Sequence, residues 1–254
     1  MNKFSRMIDV LDLFSEEDSL LTAEDIAARL QLSRTTAFRY VKELNAVGFL
    51  ANYSGRYSLG ARIITLDYRI RQSDPVLGAA RPIMKQLTAE TGCSAILCRM
   101  YNDEVINVYD EPGYIDPNLN VSSRGIPLPL FRGSASKVML ANLPARRLKR
   151  IYDNHRDDDD VRAQGPEWAA FKAYYARIRQ TGHYISHHEL DPHTVGIGAP
   201  ITVPSIGAVG VISLVFSSDR LAMLNTDGLA SRVKELSAQV GCGLGILGEK
   251  AGLP

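Results

Sequence analysis

Residues 22–48 read Thr-Ala-Glu-Asp-Ile-Ala-Ala-Arg-Leu-Gln-Leu-Ser-Arg-Thr-Thr-Ala-Phe-Arg-Tyr-Val-Lys-Glu-Leu-Asn-Ala-Val-Gly, and the fold of the N-terminal part depends on how this stretch is parsed. Thr22 followed at the third position by Asp25 resembles a capping arrangement ahead of Ile26, Ala27 and Leu30, which predicts a short helix ending near Leu30. Gln31-Leu32-Ser33 reads as a turn, and Ser33 stands where it caps the next helix. In that helix Ala37, Val41, Leu44 and Val47 form an apolar face, and Gly48 ends it. The other face carries Arg34, Thr35, Phe38, Arg39 and Lys42, mostly in the opening turns. Two helices joined by a tight turn, the second presenting Arg, Thr and an aromatic at its N-terminal end, match a helix-turn-helix, whose second helix enters the major groove. Arginine there pairs bidentately with guanine, and threonine meets phosphate or a thymine methyl.

On the C-terminal side, Phe49-Leu50-Ala51-Asn52-Tyr53 and Tyr57-Ser58-Leu59 flank Ser54-Gly55-Arg56, the pattern of a hairpin with a basic tip. This adds a wing. The expected DNA contacts are therefore Arg34, Thr35, Thr36, Phe38 and Arg39 on bases, with Lys42 and Arg56 on phosphates. On the N-terminal side, Phe4, Ile8, Leu11 and Phe14 recur at helical steps and predict a first helix near residues 4–14. Charge is partitioned along the same region: residues 1–25 hold two bases against seven acids, whereas residues 26–71 hold eight bases against two acids. Overall net charge is only +1, so the basic stripe is visible in the distribution alone.

The full chain has 254 residues, 45% of them apolar, enough for one large domain or two smaller ones, of which two is the expectation. No run approaches the roughly 18 apolar residues of a membrane span, and the N-terminus lacks a secretory pattern, so a cytoplasmic protein is expected. Cys93, Cys98 and Cys242 are too few and scattered for a disulfide framework or paired zinc ligands, and read as buried, reduced thiols. Beyond the wing, Ile63, Leu66 and Ile70 at helical spacing predict a helix over 61–71, and Asp74-Pro75 opens another. Residues 93–101 and 104–109 flank Asn102-Asp103 as one hairpin, and 194–203 and 207–216 form a second pair. Amphipathic helices are expected at 144–152, 166–181 and 219–240, which together predict a mixed α+β domain around a sheet.

Several stretches bear on chemistry. The acidic run Asp157–Asp160 reads as a solvated loop, and Gly241, Gly243, Gly245 and Gly248 as a loose tail. His187 and His188 point to opposite faces of a strand and do not easily share a metal, although His187 with Glu189 could; the spacing argues against a metal site and none is expected. No catalytic signature is present: there is no Gly-x-Ser-x-Gly elbow, no P-loop and no His-Glu-x-x-His, and no catalytic residues or cofactor are expected. Gly125 to Lys137 combines stiffening prolines with Gly133, Ser134 and Ser136, which suit a carboxylate at a helix N-terminus, although an ordinary loop entering a helix accounts for the same residues.

The sequence resembles the IclR family of bacterial transcriptional regulators. The resemblance is carried in the first part by Arg6–Leu11, Ile26–Leu30, Ser33–Arg39, Val47–Leu50 and Tyr57–Gly60. In the second part it is carried by Gly125–Leu130, Gly133–Lys137, Glu189 and Gly196–Ile201. It implies a winged helix-turn-helix over residues 1–60, a linker helix over 61–74, and a GAF-like mixed α/β effector-binding domain over 75–254. It also implies a homodimer or homotetramer that binds a double-stranded DNA operator and whose small-molecule effector, commonly an organic acid or an aromatic catabolite, alters that binding. By position the resemblance places Gly133, Ser134, Ser186 or His187, and Ser213 at the effector. Ser136-Lys137-Val138 and Ser186-His187-His188 depart from the family pattern, so the ligand is expected to differ from the commoner ones. The other reading of these residues is a small-molecule sensor or enzyme whose helical N-terminus serves only dimerisation.

Overall fold

The structure is a computed structural model describing residues 3–116, 119 and 123–251. The chain divides into two compact units, Met1–Asp74 and Pro75–Pro254.

In the first unit, helices α1 (Lys3–Leu11), α2 (Ala23–Arg29) and α3 (Arg34–Ala46) precede a hairpin of β2 (Leu50–Tyr53) and β3 (Arg56–Leu59). Both expected caps form. The Thr22 hydroxyl accepts from the Asp25 N–H at 3.1 Å while the Asp25 carboxylate accepts from the Thr22 N–H at 2.9 Å, and Ser33 Oγ accepts from Thr36 N–H at 3.2 Å. A two-residue strand β1 (Leu21–Thr22), not foreseen, pairs with β3 so that Leu21 faces Tyr57 and closes the sheet in the order β1-β3-β2. Gly60 is required where the chain leaves the wing, because a Cβ there would lie 2.2 Å from the Gly48 carbonyl oxygen.

The apolar faces are rotated slightly from their expected positions. In α3, Ala37, Val41 and Leu44 are buried as expected, but Tyr40 joins them and Val47 is exposed, because Val47 lies one residue past the last turn, at the C-cap. The first helix ends at Leu11, three residues short of the expectation; Val10 is buried, with Met7 and Leu11 packed on the same core. Phe4 and Ile8 remain exposed on its flank. Helix α4 (Ala61–Ser73) buries no residue: Ile63 and Leu66 are half-buried, and Ile64, Tyr68 and Ile70 are 70%, 57% and 55% exposed.

The second unit is built on a six-stranded antiparallel sheet. In chain order its elements are α5 (Pro75–Thr91), β4 (Ser94–Tyr101), β5 (Glu104–Glu111), β6 (Pro127–Leu128) and α6 (Ser134–Ala141). There follow α7 (Ala145–His155), α8 (Asp159–Gln164), α9 (Trp168–Thr181), β7 (Tyr184–His187), β8 (Thr194–Val203) and β9 (Gly207–Ser217). A 3-10 turn (Ser218–Met223) and α10 (Thr226–Ala251) complete it. The strand order β6-β5-β4-β9-β8-β7 puts both expected hairpins into one sheet. Period-two alternation sends Leu97, Ile197 and Leu214 to a core shared with α5 and α10, and Ile96, Cys98 and Val211 to a second core under α6–α9.

The C-terminal glycines are not a loose tail but lie within α10; Gly241 lets that helix lie on β8, since a Cβ would sit 2.2 Å from the Thr202 carbonyl oxygen. Cys93 and Cys98 are buried, but Cys242 is exposed on α10. The acidic run is not simply a solvated loop: Asp158 caps α8 by accepting from Asp160 N–H at 2.8 Å, Asp159 and Asp160 form its first turn, and Asp160 pairs with Arg132 at 2.6 Å.

Arg232 of α10 clasps Glu90 of α5 through two hydrogen bonds of 2.8 and 2.7 Å. Arg232, with help from Gln86, holds the Glu90 carboxyl down at about 2. Because the folded value is depressed, the stabilisation is complete above the ordinary value of 4.5 and is lost as pH falls from there toward 2. The melting-temperature difference between the wild type and Arg232→Ala is therefore expected to be constant above about pH 5.5 and to shrink below the ordinary carboxyl value; a difference independent of pH would remove the clasp from the fold's energetics.

Candidate DNA interface and effector cavity

The exposed face of α3 is built from the cap outward. Ser33 fixes the first turn, and Ala37, Tyr40, Val41 and Leu44 anchor the inner face, which leaves Arg34, Thr35, Phe38, Arg39 and Lys42 exposed on one side. Thr36 is half-buried and its hydroxyl lies 2.8 Å from Ser33 Oγ, so it serves the cap. The Arg34 guanidinium is held 2.6 Å from Glu24 and 5.6 Å over the Phe38 ring, and Arg39 lies 5.5 Å over Tyr40. Arg56 is exposed at the start of β3, next to the tip formed by Ser54 and Gly55, both with positive φ. The acids of the first segment are partly consumed within the unit. Asp18 takes a bidentate pair from Arg29 at 2.7 Å, which lowers its carboxyl, and Glu24 pairs with Arg34 at 2.6 Å; Glu43, one of the two acids of the basic stretch, pairs with Lys3 at 3.0 Å.

In the second unit, four of the five expected effector residues converge. Gly133 is the N-cap of α6, with φ of 80°, and Leu190 packs where its Cβ would be, 2.8 Å away. Gly196 and Gly198 of β8 let α6 approach the sheet: a Cβ on Gly196 would lie 2.6 Å from Ser134 Oγ and 2.8 Å from Ser186 Oγ. Ser213 of β9 meets Ser134 hydroxyl to hydroxyl at 2.7 Å. Gly133, Ser134, Ser186 and Ser213 thus line a recess of about 30 Å³. Beside it lies a chamber of about 340 Å³ that shares Ile96, Leu128, Leu190, Thr194 and Val215 with the recess and extends to Ile126, Pro127 and Pro129. His187 does not join them. Ser186 pairs with Gly196 in the sheet and is buried, so the next residue of the strand faces the other way and is exposed. His188 is also exposed, with φ of 56° and Nδ1 2.5 Å from the Pro192 carbonyl oxygen.

A charged cluster behind the recess was not foreseen from the residues. Lys137, 8% exposed, lies 2.7 Å from Glu189, 19% exposed. The Glu189 carboxylate also accepts from Gly133 N–H at 2.8 Å and from Tyr184 Oη–H at 2.8 Å, while Lys137 donates to Tyr184 Oη at 3.1 Å. Burial, and hydrogen bonds to Tyr174 and Glu189, push the Tyr184 phenol well above its ordinary range. The Gly133 amide, expected to greet a ligand anion, is therefore occupied by the chain's own carboxylate. Glu189 stood out in the sequence, but 56 residues separate it from Gly133, and nothing local announces the contact.

A helix-turn-helix with an exposed second helix, followed by an α+β unit with a lined cavity, is the make-up of a DNA-binding regulator with a GAF-like sensory domain. The chain belongs to the IclR family: the IclR helix-turn-helix domain matches residues 5–52, and the bacterial transcriptional regulator IclR C-terminal domain matches residues 69–242. It is similar to the HTH-type transcriptional regulator KipR of Bacillus subtilis, 26% identical with 91% of this chain and 94% of that protein covered. It is also similar to the p-hydroxybenzoate hydroxylase transcriptional activator of Acinetobacter baylyi, 25% identical with 80% and 74% covered. Among solved structures, an IclR homologue from Microbacterium hydrocarbonoxydans complexed with 4-hydroxybenzoate shares the fold with a TM-score of 0.72 at 20% identity, covering 95% of this chain and 98% of that one. An IclR-type regulator from Silicibacter reaches a TM-score of 0.79 at 18% identity, with 96% of each chain covered. Among the described residues no helix is long and apolar enough to cross a membrane.

Proposed function

We propose that the protein is a cytoplasmic, ligand-responsive regulator of a catabolic operon, a repressor or activator that works by binding and not by catalysis. Residues 1–60 read a double-stranded operator, α4 joins them to the sensory domain of residues 75–254, and a small catabolite in the cavity adjusts operator affinity. The exposed face of α3 carries this reading: Arg34, Thr35, Phe38 and Arg39 stand clear of the core in the opening turns of a capped helix, with Lys42 and Arg56 as phosphate donors beside them. Two copies reading an inverted repeat are favoured by α4, whose exposed Ile64, Tyr68 and Ile70 suit association with a second copy as a dimer or within a tetramer. The effector acts only through its differential affinity for the two arrangements of the DNA-binding domains.

The test is retention of sheared genomic DNA by the purified protein at near-physiological salt. Enrichment of an inverted repeat upstream of catabolic genes supports the reading. Retention of all fragments alike, or of none with and without candidate catabolites, would overturn it in favour of a nonspecific binder or of a sensor whose N-terminus only dimerises.

A further inference from the structure

Resting on the assignment of α3 as the helix that reads the operator, we propose that Arg34 and Phe38 act as one unit that reads a guanine beside a thymine. The Arg34 guanidinium takes the guanine, the Phe38 ring takes the thymine 5-methyl group, and Glu24, outside the recognition helix, is the positioning residue that holds the guanidinium for this task.

Phe38 supplies the thymine. It is 43% exposed on the face that carries Arg34, Thr35, Arg39 and Lys42, away from the residues that anchor the helix. A phenyl ring neither donates nor accepts an ordinary hydrogen bond, so its specific partner on the floor of the major groove is the one apolar group there, the thymine methyl. At the same place cytosine presents an amine, which the ring would desolvate without a partner.

Arg34 supplies the neighbour. It lies one helical turn before Phe38, with its guanidinium 5.6 Å over the ring, and its Nη2 donates to a Glu24 oxygen at 2.6 Å. Of the five guanidinium N–H groups Glu24 takes one, which leaves enough for the bidentate pair with guanine O6 and N7. Base pairs stack at about 3.4 Å, so two side chains in contact meet adjacent pairs. Glu24 stands in the first turn of α2, whose Ile26 and Ala27 share a core with Ala37 and Val41 of α3, so the carboxylate is fixed relative to the recognition helix. A guanidinium tethered on one edge and stacked on one side has fewer rotamers to lose when it meets a base, which favours the correct base over general attraction. The same carboxylate repels phosphates, so Glu24 raises selectivity while lowering affinity for DNA at large.

The experiment uses the full chain and the duplex enriched from genomic DNA, with each thymine replaced in turn by uracil, which lacks only the methyl, and each guanine by 7-deazaguanine, which lacks the N7 acceptor. The expected result is a thymine at which uracil weakens binding about fourfold, the worth of about one buried methyl, beside a guanine at which the deaza base weakens it about fivefold or more. In Phe38→Ala the uracil effect is expected to vanish, and in Arg34→Ala the deazaguanine effect. Glu24→Ala should shrink the deazaguanine effect while binding scrambled DNA at least as tightly as the wild type, a split that a merely structural residue would not produce. A uracil effect that is missing at every thymine, or that persists in Phe38→Ala, overturns the proposal, as does a sensitive thymine with no Arg34-dependent guanine beside it. Equal change on all duplexes in Glu24→Ala overturns its positioning role. A wild-type chain that prefers no duplex over the scrambled control overturns the operator reading itself, and the proposal with it.

Discussion

Arg39→Ala is expected to weaken binding to the specific duplex by about 5- to 150-fold, the span of the roughly 1–3 kcal/mol carried by one bidentate arginine–guanine pair. Affinity of the cavity for a small molecule should be unchanged, because Arg39 lies in the first unit and the cavity in the second. Arg39 is exposed on α3 and its guanidinium rests over the buried Tyr40, so truncation removes a reading group without opening the core. An unchanged melting profile checks that point. Lys42→Ala gives the contrast: a uniform loss on all sequences and a salt slope lower by about one. If Arg39→Ala lowers specific and nonspecific binding equally, Arg39 belongs with the phosphate donors; if it lowers ligand and DNA affinity together, the two-domain division of labour fails.

The largest stability effect is expected from Lys137. Lys137→Ala leaves the Glu189 carboxylate, largely buried, without its cation, and breaking a buried pair from one side costs about 3–5 kcal/mol. For a unit of this size each kcal/mol is about 2–4 °C, so the transition of the second unit should fall by roughly 6–20 °C in a calorimetric scan. The double change Lys137→Met with Glu189→Leu should recover only part of the loss: it removes the uncompensated charge, but it leaves the Gly133 N–H and the Tyr184 hydroxyl without the carboxylate that accepts from both. A single-site loss below about 1 kcal/mol would show that water reaches the pair and that it behaves as a surface bridge.

The parts of this fold that were legible in the sequence are those whose cause is local. Thr22 with Asp25, Ser33 ahead of α3, and the Ser54-Gly55 tip act within four residues, and each was readable from type and spacing. The hairpins were readable because short turns divide runs rich in Val and Ile, as at 194–203 and 207–216. What escaped depends on neighbours distant in the chain. Gly241 reads as a flexible residue until the Thr202 carbonyl is placed against it, and Leu21–Thr22 becomes a strand only because Tyr57 and Arg56 offer an edge. At the cavity the resemblance brought Gly133, Ser134, Ser186 and Ser213 together, yet it offered His187 as an alternative to Ser186. The pairing of Ser186 with Gly196 decides which of the two faces inward. The Lys137–Glu189–Tyr184 cluster was out of reach for the same reason, and it alters the chemistry expected at the mouth of α6.

Specific reading of DNA through α3 is tested most directly by fluorescence anisotropy of the full chain on two duplexes of equal composition, the enriched repeat and a scrambled control, across about 50–200 mM salt. The expected result is a preference for the repeat of about a thousandfold or more, with affinity for both duplexes falling steeply as salt rises. Affinities for the two duplexes within a small factor of each other, or binding indifferent to salt, would contradict it.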